Sequence, residues 1–90
     1  LDMFIKQAPV DIENIVQGFE RGDFALMWKT AHTLKGTCLN IGAQRLCETC
    51  KEIEKKGRNL ENSGLLGLCM QLDNEYKATV EELKNLFHYN

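Results

Sequence analysis

Residues 65–87, LLGLCMQLDNEYKATVEELKNLF, carry the clearest structural pattern in this sequence of 90 residues. Their apolar and aromatic side chains recur every three or four positions, a spacing that places them on one side of an α-helix. The recurring residues are Leu65, Leu68, Leu72, Tyr76, Val80, Leu83 and Phe87. The segment therefore predicts a long amphipathic helix, which must bury its apolar side against other helices or a sheet.

The first half of the chain predicts two further helices. The first covers residues 2–21, and Pro9 inside it is expected to kink the helix or to split it into two pieces. Gly22 is typical of the position after a helix end, and Asp23 is typical of a helix N-cap. The second helix is then expected over residues 24–40.

The remaining stretch predicts a third helix over residues 43–56, begun after Gly42 and ended by Gly57. Residues 59–64 form a polar connection to the fourth helix. Short connections favour antiparallel packing of consecutive helices. We therefore expect an all-α fold, an up-down antiparallel four-helix bundle with a kinked or split N-terminal helix, as a single domain over residues 1–90.

Composition narrows the possible functions. The formal net charge is −2 and the basic residues are scattered among acidic ones, so a nucleic-acid partner is not expected. No apolar run approaches the roughly 20 residues of a membrane span, and no signal peptide is visible, so we expect a cytoplasmic domain without membrane contact. The chain starts with Leu1 rather than Met, which favours a segment of a longer protein.

Four cysteines, Cys38, Cys47, Cys50 and Cys69, are expected to be reduced and buried. Cys47 and Cys50 form a C-x-x-C pair, but no second pair and no nearby pair of histidines accompany it, so no metal site is predicted. The sequence also lacks the cysteine density of a secreted disulfide-stabilised domain.

The second helix carries the most distinctive candidate for chemistry, His32, within Ala31-His32-Thr33-Leu34-Lys35-Gly36. At about 100° per residue, four residues lie within roughly 60° of His32. They are Trp28, Lys35, Gly36 and Leu39. The opposite side carries Met27, Thr30, Leu34 and Ile41. This helix is therefore expected to bury one side and to present His32 on the other as a docking surface.

A single histidine on a helix is most often a solvated bystander, but the neighbours of His32 favour a chemical role. Gly36 costs a helix roughly 1 kcal/mol relative to alanine, which is understandable if another molecule must approach the backbone there. Lys35 can neutralise an anion held at the ring. Because a neutral imidazole is a good nucleophile, these three residues suit a transferable phosphoryl group.

The run HTLKG at residues 32–36, followed by IGAQRL at residues 41–46, resembles the signature of the histidine-containing phosphotransfer (HPt) domain. Ala8-Pro9-x-Asp11, Gly22-Asp23 and Gly57-Arg58 also lie where that family tends to have them. The resemblance covers the whole chain and implies a four-helix bundle. Neither a P-loop nor a kinase glycine-rich motif is present, so no ATP site is expected.

The resemblance implies that His32 accepts a phosphoryl group from a receiver-domain aspartate and passes it to another receiver. Lys35 would neutralise phosphate charge, and Gly36 would leave room for the receiver. The expected partners are response-regulator receiver domains and a hybrid sensor histidine kinase, of which this chain could be a part. The domain would be a phosphotransfer intermediate rather than an enzyme. It would bind no cofactor, because the receiver would hold the Mg²⁺.

The resemblance also implies supporting roles. Glu54 matches a position where the family commonly has glutamine, and its carboxylate could orient the imidazole. Arg58 matches a basic position near the pocket in some members. The surface that contacts the receiver is expected to include Ala25, Trp28, Lys29, Leu39 and Arg58, with Trp28 exposed.

Two other functions remain open from the residues alone. The domain could be a helical interaction module in which His32 is incidental. Alternatively, Cys38, Cys47 and Cys50 could form a metal or redox sensor with His32, although Cys38 is expected on the opposite side of the second helix. His88, near the C-terminus, is expected to be a solvated bystander.

Overall fold

The computed structural model describes residues 2–87, and within them it contains four helices and no strand. The helices are α1 (Asp2–Arg21), α2 (Phe24–Ile41), α3 (Gln44–Arg58) and α4 (Leu65–Phe87). Each helix packs against its neighbours in sequence, and α1 also contacts α4, which closes the bundle. The predicted all-α four-helix bundle is confirmed. His88 lies outside the described residues.

One continuous apolar core fills the bundle. Its fully buried members include Phe4, Ile15, Met27, Leu34, Leu46, Ile53, Leu65 and Leu72. Each helix contributes side chains at the spacing expected of an amphipathic helix. Among residues 2–87, no helix is long and apolar enough to cross a membrane.

Helix α1 passes through Pro9 as one continuous element, so of the two predicted alternatives, a kink or a split, the split does not occur. Proline has no backbone N–H, and the carbonyl of Ile5, four residues earlier, therefore lacks its usual helical partner. The hydroxyl of Tyr76 in α4 donates a hydrogen bond to this carbonyl at 3.1 Å. The contact between α1 and α4 thus satisfies the backbone group that Pro9 leaves unpaired.

The turn between α1 and α2 has the predicted chemistry. Gly22 adopts a left-handed backbone conformation with φ of 70°. Asp23 is the N-cap of α2, and its side chain accepts a hydrogen bond from the backbone N–H of Leu26 at 3.0 Å. Gly42 ends α2 in the same left-handed conformation, with φ of 74°. These two glycines allow the tight turns on either side of the helix that carries His32.

Gly57 does not end α3 as predicted, because the helix continues to Arg58. The glycine is buried, and a Cβ atom placed on it would lie 2.8 Å from the Cβ of Trp28 and 3.3 Å from the carbonyl oxygen of Phe24. Its role is therefore close packing between α2 and α3 rather than helix termination. This close approach brings the first half of α2 directly against the last turn of α3.

Candidate functional site

His32 lies on the exposed side of α2, and 59% of its side chain is accessible to solvent. The side chains on the opposite side of the helix, Met27 and Leu34, are fully buried in the core. The amphipathic pattern of α2 thus fixes the direction of the imidazole. Because α2 is anchored by these core residues, the ring is presented to solvent from a rigid element.

The inner nitrogen of the imidazole contacts α3. His32 Nδ1 lies 3.1 Å from Glu54 Oε2. Only 10% of the Glu54 side chain is exposed, so the carboxylate forms the floor of the site beneath the ring. The family resemblance implied that Glu54 could orient the ring, and the structure places its carboxylate within hydrogen-bond distance of the imidazole.

Glu54 is shared by three side chains, each of which can donate a hydrogen bond to it. Besides His32, the Lys35 ammonium donates to Oε1 at 2.8 Å, and Arg58 Nε donates to Oε2 at 3.1 Å. The Nη2 atom of Arg58 is also 3.1 Å from Oε2. One buried carboxylate therefore organises a histidine, a lysine and an arginine at the same point on the surface.

The charge state of Glu54 decides which nitrogen of His32 is available. Burial raises the pKa of this carboxyl, but hydrogen bonds from Lys35, Arg58 and His32 together lower the pKa below its ordinary value. The group is therefore an ionised carboxylate at neutral pH. A carboxylate can only accept hydrogen bonds, so in the neutral ring the proton lies on Nδ1. The lone pair of the neutral imidazole then lies on Nε2, on the side of the ring away from Glu54.

Gly36 lies one turn after His32 and is exposed. No heavy atom outside the local helix lies within 4 Å of the position that a Cβ on Gly36 would occupy. The fold itself therefore gives no steric reason for a glycine here, unlike at Gly57. The open space beside the imidazole is available to another molecule.

The predicted contact surface is only partly as expected. Ala25, Lys29 and Leu39 are exposed on α2, and Leu39 is 64% exposed. Trp28, however, is half-buried against the end of α3 rather than freely exposed. The guanidinium carbon of Arg58 lies 4.0 Å from the centroid of the Trp28 ring and covers part of it. Both residues were predicted near the site, but no local sequence pattern predicts the contact between them.

All four cysteines are reduced and buried, as predicted. Burial raises the pKa of the Cys47 and Cys69 thiols, and the pKa of Cys50 is raised by its hydrogen bond with Cys38 and by burial. Hydrogen bonds with Cys50 and Cys47 lower the pKa of Cys38, so these three thiols lie close together in the core. Within residues 2–87, no cluster of three or more His, Cys, Asp or Glu side chains could hold a metal ion. The structure thus gives no support to a metal site, and His32, exposed on the other side of α2, does not join the three buried thiols in a redox site.

Comparison with known proteins agrees with this geometry. The Hpt domain family matches residues 1–86. The chain is also 25% identical over 91 residues to the histidine-containing phosphotransfer protein 2 of Arabidopsis thaliana, an alignment that covers 98% of the chain. The chain spans about 58% of the length of that relative. No solved structure gives a significant match.

The match over nearly the whole chain, the four-helix bundle and the exposed histidine on α2 are mutually consistent. This chain belongs to the Hpt domain family.

Proposed function

We propose that this domain carries a phosphoryl group on Nε2 of His32 between the aspartates of two receiver domains. The observation that supports it best is the half-exposed imidazole, whose Nδ1 is held by the ionised carboxylate of Glu54. This contact leaves a lone pair on the accessible nitrogen of the neutral ring.

The transfer step exchanges the P–O bond of an aspartyl phosphate for an N–P bond to His32. The Nε2 lone pair attacks the phosphorus of an aspartyl phosphate, and the N–P bond forms as the P–O bond to the aspartate breaks. The aspartate leaves as a carboxylate with that electron pair. The ring then bears a phosphoryl group on Nε2 and a proton on Nδ1, and the nearby Glu54 carboxylate balances its positive charge. The same steps in reverse deliver the group to a second receiver.

The neighbours of His32 have distinct parts in this proposal. Lys35, now bound to Glu54, has a flexible side chain that can turn toward the phosphoryl oxygens. Gly36 leaves the space into which the loops of the receiver would fit. Ala25, Lys29 and Leu39 offer exposed surface on the same helix for docking.

The partners follow from the same proposal. We expect the two receivers to belong to a hybrid sensor histidine kinase and a response regulator, and this domain could be part of such a kinase. Phosphoryl transfer depends mainly on positioning and charge stabilisation. The Mg²⁺ and carboxylates of the receiver can supply most of both, so the domain is expected to need no cofactor of its own.

The test is transfer from a panel of isolated receiver domains, each labelled with radioactive acetyl phosphate. Wild-type protein is expected to acquire an acid-labile, alkali-stable label, and His32→Ala is expected to acquire none. Equal labelling of the two proteins would refute the assignment of His32. If folded wild-type protein takes no label from any receiver but binds one of them, the domain is an interaction module instead.

Glu54 is tested as a positioning residue with two substitutions. Glu54→Gln retains an oxygen that can accept the Nδ1 hydrogen bond, whereas Glu54→Ala removes it. We expect Gln to keep most of the transfer rate and Ala to lose it. The ring ¹⁵N chemical shifts of His32 report the tautomer directly, and they should show the Nδ1 proton in wild type and a mixture of tautomers in Glu54→Ala. Unchanged shifts in Glu54→Ala would contradict this role.

A further inference from the structure

Arg58 is held at two points of its guanidinium group. Its Cζ lies 4.0 Å from the centroid of the Trp28 ring, well within the range of a cation–π contact. Its Nε and Nη2 atoms are each 3.1 Å from Glu54 Oε2, the oxygen that also contacts His32 Nδ1. The aromatic ring and the carboxylate together fix a side chain that is still 51% exposed.

The packing of the two helices makes this contact possible. Gly57 lets the Cβ of Trp28 approach the backbone of α3, where any side chain at position 57 would collide with it. Trp28 lies one turn before His32 on α2, and Arg58 lies one turn after Glu54 on α3. The ring and the guanidinium are therefore built into the edge of the same site.

Resting on the proposed function, we propose that Trp28 is a positioning residue for phosphoryl transfer, acting through Arg58. Its ring holds the guanidinium beside Glu54 and His32, where the N–H groups not used by Glu54 can bind an incoming phosphoryl group. A long arginine side chain at a helix end otherwise samples many rotamers. The contact with the tryptophan ring removes much of this freedom before the phosphoryl donor arrives.

This role differs from that of a docking residue in the step it affects. A docking tryptophan would contribute to binding of the receiver, and its loss would weaken the affinity for the receiver. A positioning tryptophan contributes to the reaction of His32 with any phosphoryl donor, including one too small to use a docking surface. A small donor therefore separates the two roles.

The experiment uses phosphoramidate as the donor. The Nε2 lone pair of His32 attacks phosphorus, the P–N bond of phosphoramidate breaks, and ammonia leaves. The initial labelling rate is measured by ³¹P NMR for wild type, Trp28→Leu, Trp28→Phe, Arg58→Ala and the double variant Trp28→Leu/Arg58→Ala. Circular dichroism establishes that each protein is folded.

We expect Trp28→Leu to label about fivefold more slowly than wild type, in keeping with the usual strength of a cation–π contact. Trp28→Phe keeps an aromatic ring and should retain most of the rate. The double variant should be no slower than Arg58→Ala, because Trp28 acts only through that arginine. In ¹⁵N-resolved NMR spectra, the Nε–H proton of Arg58 should be shifted by the Trp28 ring current, and Trp28→Leu should abolish this shift.

Three outcomes would overturn the proposal. The first is an unchanged phosphoramidate rate in Trp28→Leu together with weaker binding of a receiver, which would make Trp28 a docking residue. The second is a double variant whose labelling rate falls by the product of the two single-variant rate reductions, which would show that the two residues act independently. The third is an Arg58 Nε–H proton without a ring-current shift. Failure of the proposed function itself is separate, because it would appear as wild-type protein labelled no more than His32→Ala.

Discussion

Replacing Gly36 with alanine should make the domain more stable and less able to receive a phosphoryl group. The residue is exposed in the middle of α2, and the added methyl group would meet no heavy atom within 4 Å outside the local helix. Alanine in place of glycine inside a helix stabilises it by about 0.5–1 kcal/mol. In a domain of this size, the expected increase in Tm is roughly 2–8 °C.

The opposite effect on transfer arises from the open space beside His32. If the receiver closely approaches the backbone at Gly36, the methyl group must be accommodated in a packed interface at a cost of about 1–3 kcal/mol. That cost corresponds to a transfer rate roughly 5- to 150-fold lower. The assay compares Tm from circular dichroism with the rate of transfer from a labelled receiver.

Gly67→Ala provides a matched control. Gly67 is also an exposed helical glycine, and no heavy atom outside the local helix lies within 4 Å of the position that its added methyl group would occupy. It lies at the start of α4, however, and not on the helix that carries His32. The substitution should therefore raise Tm without changing transfer. If Gly36→Ala transfers at the wild-type rate while its Tm rises, the argument that Gly36 leaves room for a partner is wrong.

Three further predictions concern stability. The pKa of Glu54 is lowered, so its stabilising contacts are present above its ordinary pKa of 4.5 and are lost as the pH falls through the lowered value. Wild type and Glu54→Gln should therefore differ in urea unfolding at pH 7 and converge once the pH lies well below that ordinary pKa. A difference that persists at low pH would contradict this. Tyr76→Phe leaves the Ile5 carbonyl without its donor and should lower the free energy of unfolding by about 1 kcal/mol, whereas no loss would show that this carbonyl is satisfied in another way. Gly57→Ala should lower it by about 1–3 kcal/mol because its methyl group collides with Trp28, and an unchanged Tm would show that the two helices separate at little cost.

The sequence was sufficient to predict most of the fold, because the elements depend on local patterns. Apolar spacing predicted α4 over the observed range, and Asp23 was recognised as an N-cap from its position after Gly22. Gly57 differs from the prediction, because a glycine near a predicted helix end usually terminates the helix, whereas α3 continues to Arg58. Its true role depends on how closely Trp28 approaches from another helix, which no local pattern contains.

In the site, too, contacts within one helix could be predicted from the sequence, whereas contacts between helices could not. The positions of Lys35 and Gly36 beside His32 follow from helical periodicity within α2. The contact with Glu54 joins residues 22 positions apart, and only the family resemblance suggested it. The link from Arg58 to Glu54 could have been inferred from their spacing of four residues on one predicted helix. The contact of Arg58 with the Trp28 ring could not be inferred, because it depends on the packing of α2 against α3.

The sharing of Glu54 also determines how the charge of the site changes during a relay. With a neutral His32, the carboxylate offsets one of the two cations, Lys35 and Arg58, so these four groups carry a net charge of about +1. A transferred phosphoryl group brings a phosphate charge of about −2 and leaves a positive charge on the ring, so loading lowers the net charge of the site by about one unit. On the proposed function, the empty domain therefore attracts the acidic pocket of a receiver, and the loaded domain attracts it less. Loading then weakens the hold on the donor that has just given up its phosphoryl group, which favours its release.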